Sequence, residues 1–234
     1  SVTLDYFNSY PCVFGMEQAL LQEHVPFDMI FSYQLDRLDR YEALVLAEQT
    51  CLSDQEIARI IAFVESGRGL VMTGRTGIYD ERFRHRRAHP LQKLLGRERV
   101  VYLPDNPERL SAPERDHPPA YHDMRRPERS GEIAAAVILA AGGRLPWRVE
   151  AGPYVATEGY RVASGRRVIH LLNYANDDGP GRAAVALPAD ANSARLLTPD
   201  AAPEEEALAL RGGCALIPRL HTYAMVVIEA GAGP

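Results

Sequence analysis

The sequence predicts an α/β domain built on a parallel sheet, followed by a small all-β sandwich domain. Two observations carry this. The stretch from His24 to Gly77 reads PFDMIFSYQL, YEALVLAEQT, SDQEIARIIAFVESG and RGLVMTGRTG. Apolar run, apolar run, amphipathic helix, apolar run is the order of a parallel sheet with helices on its faces. From Trp147 onward the pattern changes to short β-rich segments separated by SGRR, NDDGPG, PADANS, PDAAPEE and RGG. Many short strands at near-regular spacing indicate a sandwich or partial barrel. The change places a boundary near residues 142–150 and gives domains 1–145 and 146–234.

The elements follow in order. VTLDYF at the N-terminus is a candidate strand. Gly15–His24 forms a helix with Met16, Leu20 and Leu21 near one face, and Pro26 stops it. Phe27–Phe31 and Tyr41–Leu46 are expected strands. The second has the continuous apolar run of a strand buried on both faces. Ser53 is an N-cap with Glu56 three residues later, the pattern of a capping box. Ile57, Ile60, Ile61 and Val64 supply that helix's buried stripe. Gly69–Thr73 is the next strand. Pro90–Leu95 is a short helix, Arg99–Leu103 a strand, and residues 104–129 a long excursion rich in Pro, Arg, Asp and Glu. Glu132–Ala141 is a helix ended by Gly142-Gly143. The expected strands of the second domain are Tyr154–Ala156, Tyr160–Ala163, Arg167–Tyr174, Ala183–Leu187, Ala194–Leu197, Glu206–Leu210, Cys214–Ile217 and Tyr223–Glu229.

Composition narrows the class. The 234 residues are 46% hydrophobic and 24% charged, enough apolar material for a real core. A net charge of −5 gives no reason to expect nucleic acid or an acidic membrane as partner. No apolar run approaches the roughly 18 residues that span a bilayer. No secretion signal is visible, which suggests a cytoplasmic protein. Cys12, Cys51 and Cys214 are odd in number and widely spaced, which argues against a disulfide framework. The sequence opens on Ser1, which leaves a longer precursor open.

The feature that bears most on function is the turn Gly74-Arg75-Thr76-Gly77. A sharp glycine turn leaving a parallel strand is where open α/β folds place ligands and nucleophiles. Here it offers neither Cys nor Ser. Asp80 and Glu81 lie just beyond it, then the basic run Arg82–His89. That run fits a contact between subunits or domains, a solvated loop, or a site for a small anion. The candidate ligand-binding residues are Gly74, Arg75, Thr76, Gly77, Asp80, Arg84 and Arg86.

Other groups point away from catalysis. Cys51, before the Ser53 helix, fits a small buried residue better than an activated thiol. His85 and His89 have i,i+4 spacing but lack an HExxH context, so no metal is expected, nor any other cofactor. His170 sits between Ile169 and Leu171 in a strand and reads as a hydrogen-bonded structural residue. Trp147, Tyr154, Tyr160 and Tyr174 fit strand packing, with a sugar platform as the other reading.

The stretch HVPFDMI, then YEALVLAEQTCLSDQEIARIIAFVESGRGLVMTGRTGIYDE, resembles the trimerisation domain of family 42 β-galactosidases and related glycoside hydrolases. The stretches GRRVIHLLNY and IPRLHTYAMVVI resemble the C-terminal β-domain that follows it. The resemblance implies a flavodoxin-like fold of the class I glutamine amidotransferase type, without that activity. The elbow lacks the thiol, and no HxE triplet supplies the rest of a triad. It also implies a (β/α)8 catalytic barrel, which at about 250 residues is longer than this whole chain. No catalytic residue is therefore expected here. The expectation is a non-catalytic accessory or oligomerisation module whose partner is a second copy, a trimer by resemblance, or a glycoside hydrolase barrel. A small-ligand binding module for a sugar or carboxylate is the alternative.

Overall fold

The computed structural model describes residues 6–109, 127–162, 165–175, 181–199 and 206–230. The chain divides into two compact units, one of residues 1–20 and 27–144, the other of 21–26 and 145–234.

The first unit holds helix α1 (Tyr6–Gln22) as far as Leu20, strand β1 (Ala43–Leu46), helix α2 (Asp54–Glu65), strands β2 (Gly69–Thr73) and β3 (Val100–Leu103), and helix α3 (Ser130–Ala140). The three strands form a parallel sheet in the order β1-β2-β3, with Leu44 opposite Leu70 and Leu70 opposite Val100. β2, the central strand, is buried along its whole length. Leu44, Leu46, Leu70 and Met72 share one core cluster with Ile57, Ile60, Phe63 and Val64 of α2. α3 also packs against β2, and its end comes so close that a Cβ on Gly69 would lie 2.0 Å from the Ala140 carbonyl oxygen.

α2 begins where its cap places it. The Ser53 side chain accepts from the Glu56 amide, and the Glu56 carboxylate accepts from the Ser53 amide at 2.7 Å. Two N-terminal amides that would otherwise lack partners are thereby satisfied.

Two expectations for this unit change. Residues from Tyr6 are helical, so α1 begins well before Gly15 and contains Pro11. Pro11 and Gly15 read as breakers, yet buried Cys12, Phe14, Met16 and Leu20 keep the helix in the core. Phe27–Phe31 is not a strand. It is an extended, largely exposed ribbon leading into a 3-10 helix at Ser32–Arg40. Phe27, Met29 and Phe31 face outward, Ile30 alone packs on the core, and no ladder pairs with the segment, so β propensity alone does not make a strand. Of the expected excursion, residues 110–126 lie outside the described residues. Residues 104–109 return beneath the elbow, and Asp105 is held by Arg129 at 2.5 Å.

The second unit contains nine antiparallel strands among its described residues: β4 (Val149–Ala151), β5 (Val155–Arg161), β6 (Arg167–Asn173), β7 (Gly181–Ala186), β8 (Ala191–Leu197), β9 (Glu206–Ala207), β10 (Ala209–Arg211), β11 (Cys214–Leu220) and β12 (Tyr223–Ala230). They make a four-stranded sheet, β10-β11-β7-β4, and a five-stranded sheet, β5-β6-β12-β8-β9. Val149, Val185, Ala215 and Ile217 from the first join Val155, Ile169, Leu171, Leu196 and Val226 from the second in one core. The expected segments Tyr154–Ala156 and Tyr160–Ala163 merge into the single strand β5, because Gly159 sits under the Trp147 indole without breaking the ladder.

Candidate functional site

The elbow is formed, and it is filled by the protein's own side chains. Gly74 takes φ +52 and Gly77 φ +76, left-handed values that glycine adopts without strain. The backbone N–H groups of the turn are already used. Gly74 donates to the Leu103 carbonyl at 2.9 Å, Arg75 to Glu48 Oε2 at 2.7 Å, Thr76 to the Thr73 carbonyl at 3.3 Å, and Gly77 to the Gln49 carbonyl at 2.9 Å. No pair of amides remains to hold a developing oxyanion.

Backbone carbonyls take three of these amides and a buried glutamate, Glu48, takes the fourth; a second, Glu108, lies beside it. Glu48 follows β1 at φ +46, and its side chain has no solvent exposure. Its carboxylate accepts from the Arg75 amide, from Arg75 Nε at 2.9 Å and from Asn106 Nδ2 at 2.9 Å. Ser9 Oγ of α1 donates to its backbone carbonyl at 2.7 Å. Glu108 is equally buried. Thr73 Oγ1 donates to one of its oxygens and accepts from the Glu48 amide at 3.0 Å, so a single hydroxyl links both acidic residues. The other oxygen of Glu108 has no hydrogen-bond partner. Burial raises the Glu108 pKa above the usual carboxylate range, against the opposing pull of the Thr73 hydroxyl. Burial, with Glu108 and Glu48 nearby, pushes the Cys12 thiol up to about 12. A thiol so far from its thiolate is no nucleophile at neutral pH.

The remaining predicted residues fall into two groups. Thr76 is buried; its hydroxyl shares one proton between the Thr73 carbonyl at 2.8 Å and the Leu46 carbonyl of β1 at 3.1 Å, and accepts from the Gln49 amide at 3.2 Å. Arg75 spans from the surface to Glu48. Asp80, Arg84 and Arg86 lie on the following loop and are tied into it. Asp80 Oδ1 accepts from the Arg82 and Arg84 amides, and Oδ2 from Arg84 Nε at 2.7 Å. The Arg84 amide and guanidinium hold the Asp80 carboxyl down at about 2. Arg86 donates to the Leu52 carbonyl at 2.8 Å and pairs with Asp54 at 2.7 Å, clasping the loop to the start of α2. Arg84 and Arg86 thus serve the loop's own conformation. The signal that sequence reading missed was Glu48 and Glu108, single carboxylates with no motif around them.

Other readings resolve locally. Cys51 is buried beside the bridge it forms with Tyr79. His85 packs edge-on to the Tyr79 ring at 5.6 Å, and His89 Nδ1 accepts from the Leu91 amide at 3.2 Å. No group of His, Cys, Asp or Glu suited to a metal occurs among the described residues. No helix among them is long and apolar enough to cross a membrane. A shallow depression of about 430 Å³ lies beside the α2 N-terminus, lined by Tyr33, Cys51, Ser53, Glu56, Arg59 and Glu81 among others.

It opens next to the most unusual surface of the first unit. Phe27 is 37% exposed, Met29 52%, Phe31 59% and Tyr33 77%, all within seven residues. The Phe31 and Tyr33 rings stack at 5.8 Å.

The chain matches no protein-family model and no curated protein. Solved structures do share its fold. Gan42B, a GH42 β-galactosidase from G. stearothermophilus, is 16% identical with a TM-score of 0.57, over 92% of this chain and 35% of its own. A β-galactosidase from Bacillus circulans sp. alkalophilus is 14% identical with a TM-score of 0.59, over 95% of this chain and 38% of its own. The exo-carrageenase GH42 from Bacteroides ovatus is 11% identical with a TM-score of 0.52, over 93% of this chain and 26% of its own. These three structural neighbours are glycoside hydrolases, two of them described as GH42, and this chain corresponds to well under half of each. That is compatible with a non-catalytic domain of such an enzyme.

Proposed function

We propose that this chain is a non-catalytic accessory module of a β-galactosidase-like glycoside hydrolase. The first unit is a trimerisation-type domain with a flavodoxin-like, class I glutamine amidotransferase-like fold. The second is its C-terminal β-sandwich. The elbow supports this reading by its chemistry: it has no thiol, no unused amides and no room. The observation that carries the reading is the ribbon Phe27–Tyr33. Four large apolar side chains exposed in seven residues are costly on a surface that stays wet, and such a patch marks a protein interface. Aromatic residues with Met are the side chains enriched at such contacts. The partner is a second copy of this chain or a glycoside hydrolase barrel.

Sedimentation velocity at micromolar concentration tests self-association. The expected result is an oligomer, a trimer by the resemblance, that dissociates in a Phe31→Glu/Tyr33→Glu variant. A monomer at all concentrations refutes self-association and leaves docking onto a barrel, tested by adding one in trans. The alternative, a small-ligand site on Gly74–Gly77 and Arg82–His89, has less support, because Asp80, Arg84 and Arg86 already satisfy one another and the backbone.

A further inference from the structure

The second unit carries a surface that the association reading does not use. Along β5, β6 and β12, the residues Val155, Ile169, Leu171, Ala224 and Val226 point into the core. Side chains alternate along a strand, so the residues between them face the other way. The outer face reads Glu158 and Tyr160 on β5, His170 and Leu172 on β6, Tyr223 and Met225 on β12. Register places Glu158 opposite His170, His170 opposite Met225, and Leu172 opposite Tyr223. With strands ~4.8 Å apart and alternate residues ~6.7 Å along them, the patch spans roughly 10 by 13 Å.

Its side chains hold one another in place. Tyr160 is 50% exposed and Leu172 46%. The Tyr160 phenol donates to the Glu158 carboxylate, and its ring meets His170 edge-on at 5.6 Å. His170 Nδ1 and Tyr223 Oη are 2.5 Å apart. The bond to Glu158 raises the Tyr160 pKa, so the phenol stays neutral. At the margin, Arg195 pairs with Glu229 at 2.8 Å and Arg166 with the same carboxylate at 3.0 Å.

We propose that this outer sheet face, centred on Tyr160, His170 and Tyr223, binds a neutral oligosaccharide. The match is chemical. A pyranose has an apolar C–H face and an equatorial rim of hydroxyls. The first needs an exposed aromatic ring, and the second needs donors and acceptors set beside it. Tyr160 and Leu172 supply the apolar floor. Glu158 accepts, and the His170–Tyr223 pair both donates and accepts. A tyrosine fixed at both ring and hydroxyl offers contact area with little entropy left to lose. Arg166 and Arg195 share the one Glu229 carboxylate, and Glu158 places a second carboxylate on the face itself, so the patch offers a phosphate or carboxylate ligand no unopposed charge. The patch matches the footprint of a short oligosaccharide and is smaller than the ~800 Å² per partner of a standard protein interface.

The test is a chemical-shift titration of the full chain with lactose, cellobiose and maltose. Saturable shifts confined to β5, β6 and β12 are expected with at least one of them. Tyr160→Phe keeps the ring and should stay within about threefold of wild type, whereas Tyr160→Ala should weaken binding about tenfold. Circular dichroism confirms that both variants are folded. The Phe31→Glu/Tyr33→Glu variant should bind as wild type does, which separates this inference from the association reading. No saturable shift with any of the three sugars overturns it, as does binding that Tyr160→Ala leaves intact. Self-association lost on Tyr160→Ala, without sugar binding, would instead assign the face to a second copy.

Discussion

Gly74→Ala tests how tightly the elbow is filled. The added Cβ would lie 1.6 Å from Glu48 Oε2 and 2.0 Å from Asn106 Oδ1. Neither atom belongs to a freely movable surface side chain. Glu48 is fixed by the Arg75 amide, Arg75 Nε and Asn106, so any retreat breaks hydrogen bonds in a buried place. The left-handed backbone at φ +52 adds about 1 kcal/mol for any residue with a Cβ. A displaced, under-bonded carboxylate adds about 2–3 kcal/mol. The sum, about 3–4 kcal/mol, is a large share of the 5–15 kcal/mol typical of a folded domain. It corresponds to a fall in melting temperature of roughly 10 °C. Gly67→Ala is the control. Gly67 has φ +90 but no atom within 4 Å of a built Cβ, so only the backbone term applies. Thermal melts at 222 nm follow α2 and α3, both in the first unit. In a Glu48→Ala background the Gly74→Ala penalty should shrink by about two-thirds, toward the backbone term of about 1 kcal/mol, a coupling that a double-mutant cycle reads directly. Equal melting temperatures for Gly74→Ala and Gly67→Ala would refute the reasoning.

Glu108 should give stability a pH dependence. Its folded pKa is raised above the unfolded value of about 4.3. The folded state therefore keeps a proton that the unfolded state has lost, and stability falls as pH rises from that value through the folded one. Glu108→Gln should flatten this slope in urea titrations between pH 4 and 8; an unchanged slope would assign the proton elsewhere. Cys12 should resist thiol reagents at pH 8 until denaturant is added, whereas half-buried Cys214 reacts first, as mass spectrometry of labelled peptides would show. Ser53→Ala should cost about 1 kcal/mol by removing the α2 cap, measured as a shift in urea midpoint with unchanged slope.

Much of the first unit was legible wherever local chemistry and tertiary packing agree. The Ser53–Glu56 box, the α2 stripe and the glycine turn after β2 are local patterns, and each appears at its place. α1 was hidden because Pro11 and Gly15 are local breakers in a helix that burial sustains. The segment Phe27–Phe31 reads as a strand because its apolar residues alternate, and no local rule tells an outward face from an inward one. Glu48 and Glu108 were illegible for a different reason. They stand 60 positions apart, and their meeting under Thr73 depends on the β1–β2–β3 register. Sequence could show that the elbow lacked a nucleophile, but not that carboxylates had filled the space.

That filling bears on redesign. An elbow that lacked only a nucleophile would be one substitution from presenting one, and Cys at position 75 would supply it. Here more steps are needed. Such a cysteine would sit on an amide already bonded to Glu48, beside a turn with no N–H left for an oxyanion. Clearing Glu48 must come first, and that step loosens the turn before any catalytic gain rewards it. The stability of the fold therefore holds the site shut, because Glu48, Thr73 and Glu108 are bonded to one another and none can be removed alone without stranding a buried partner.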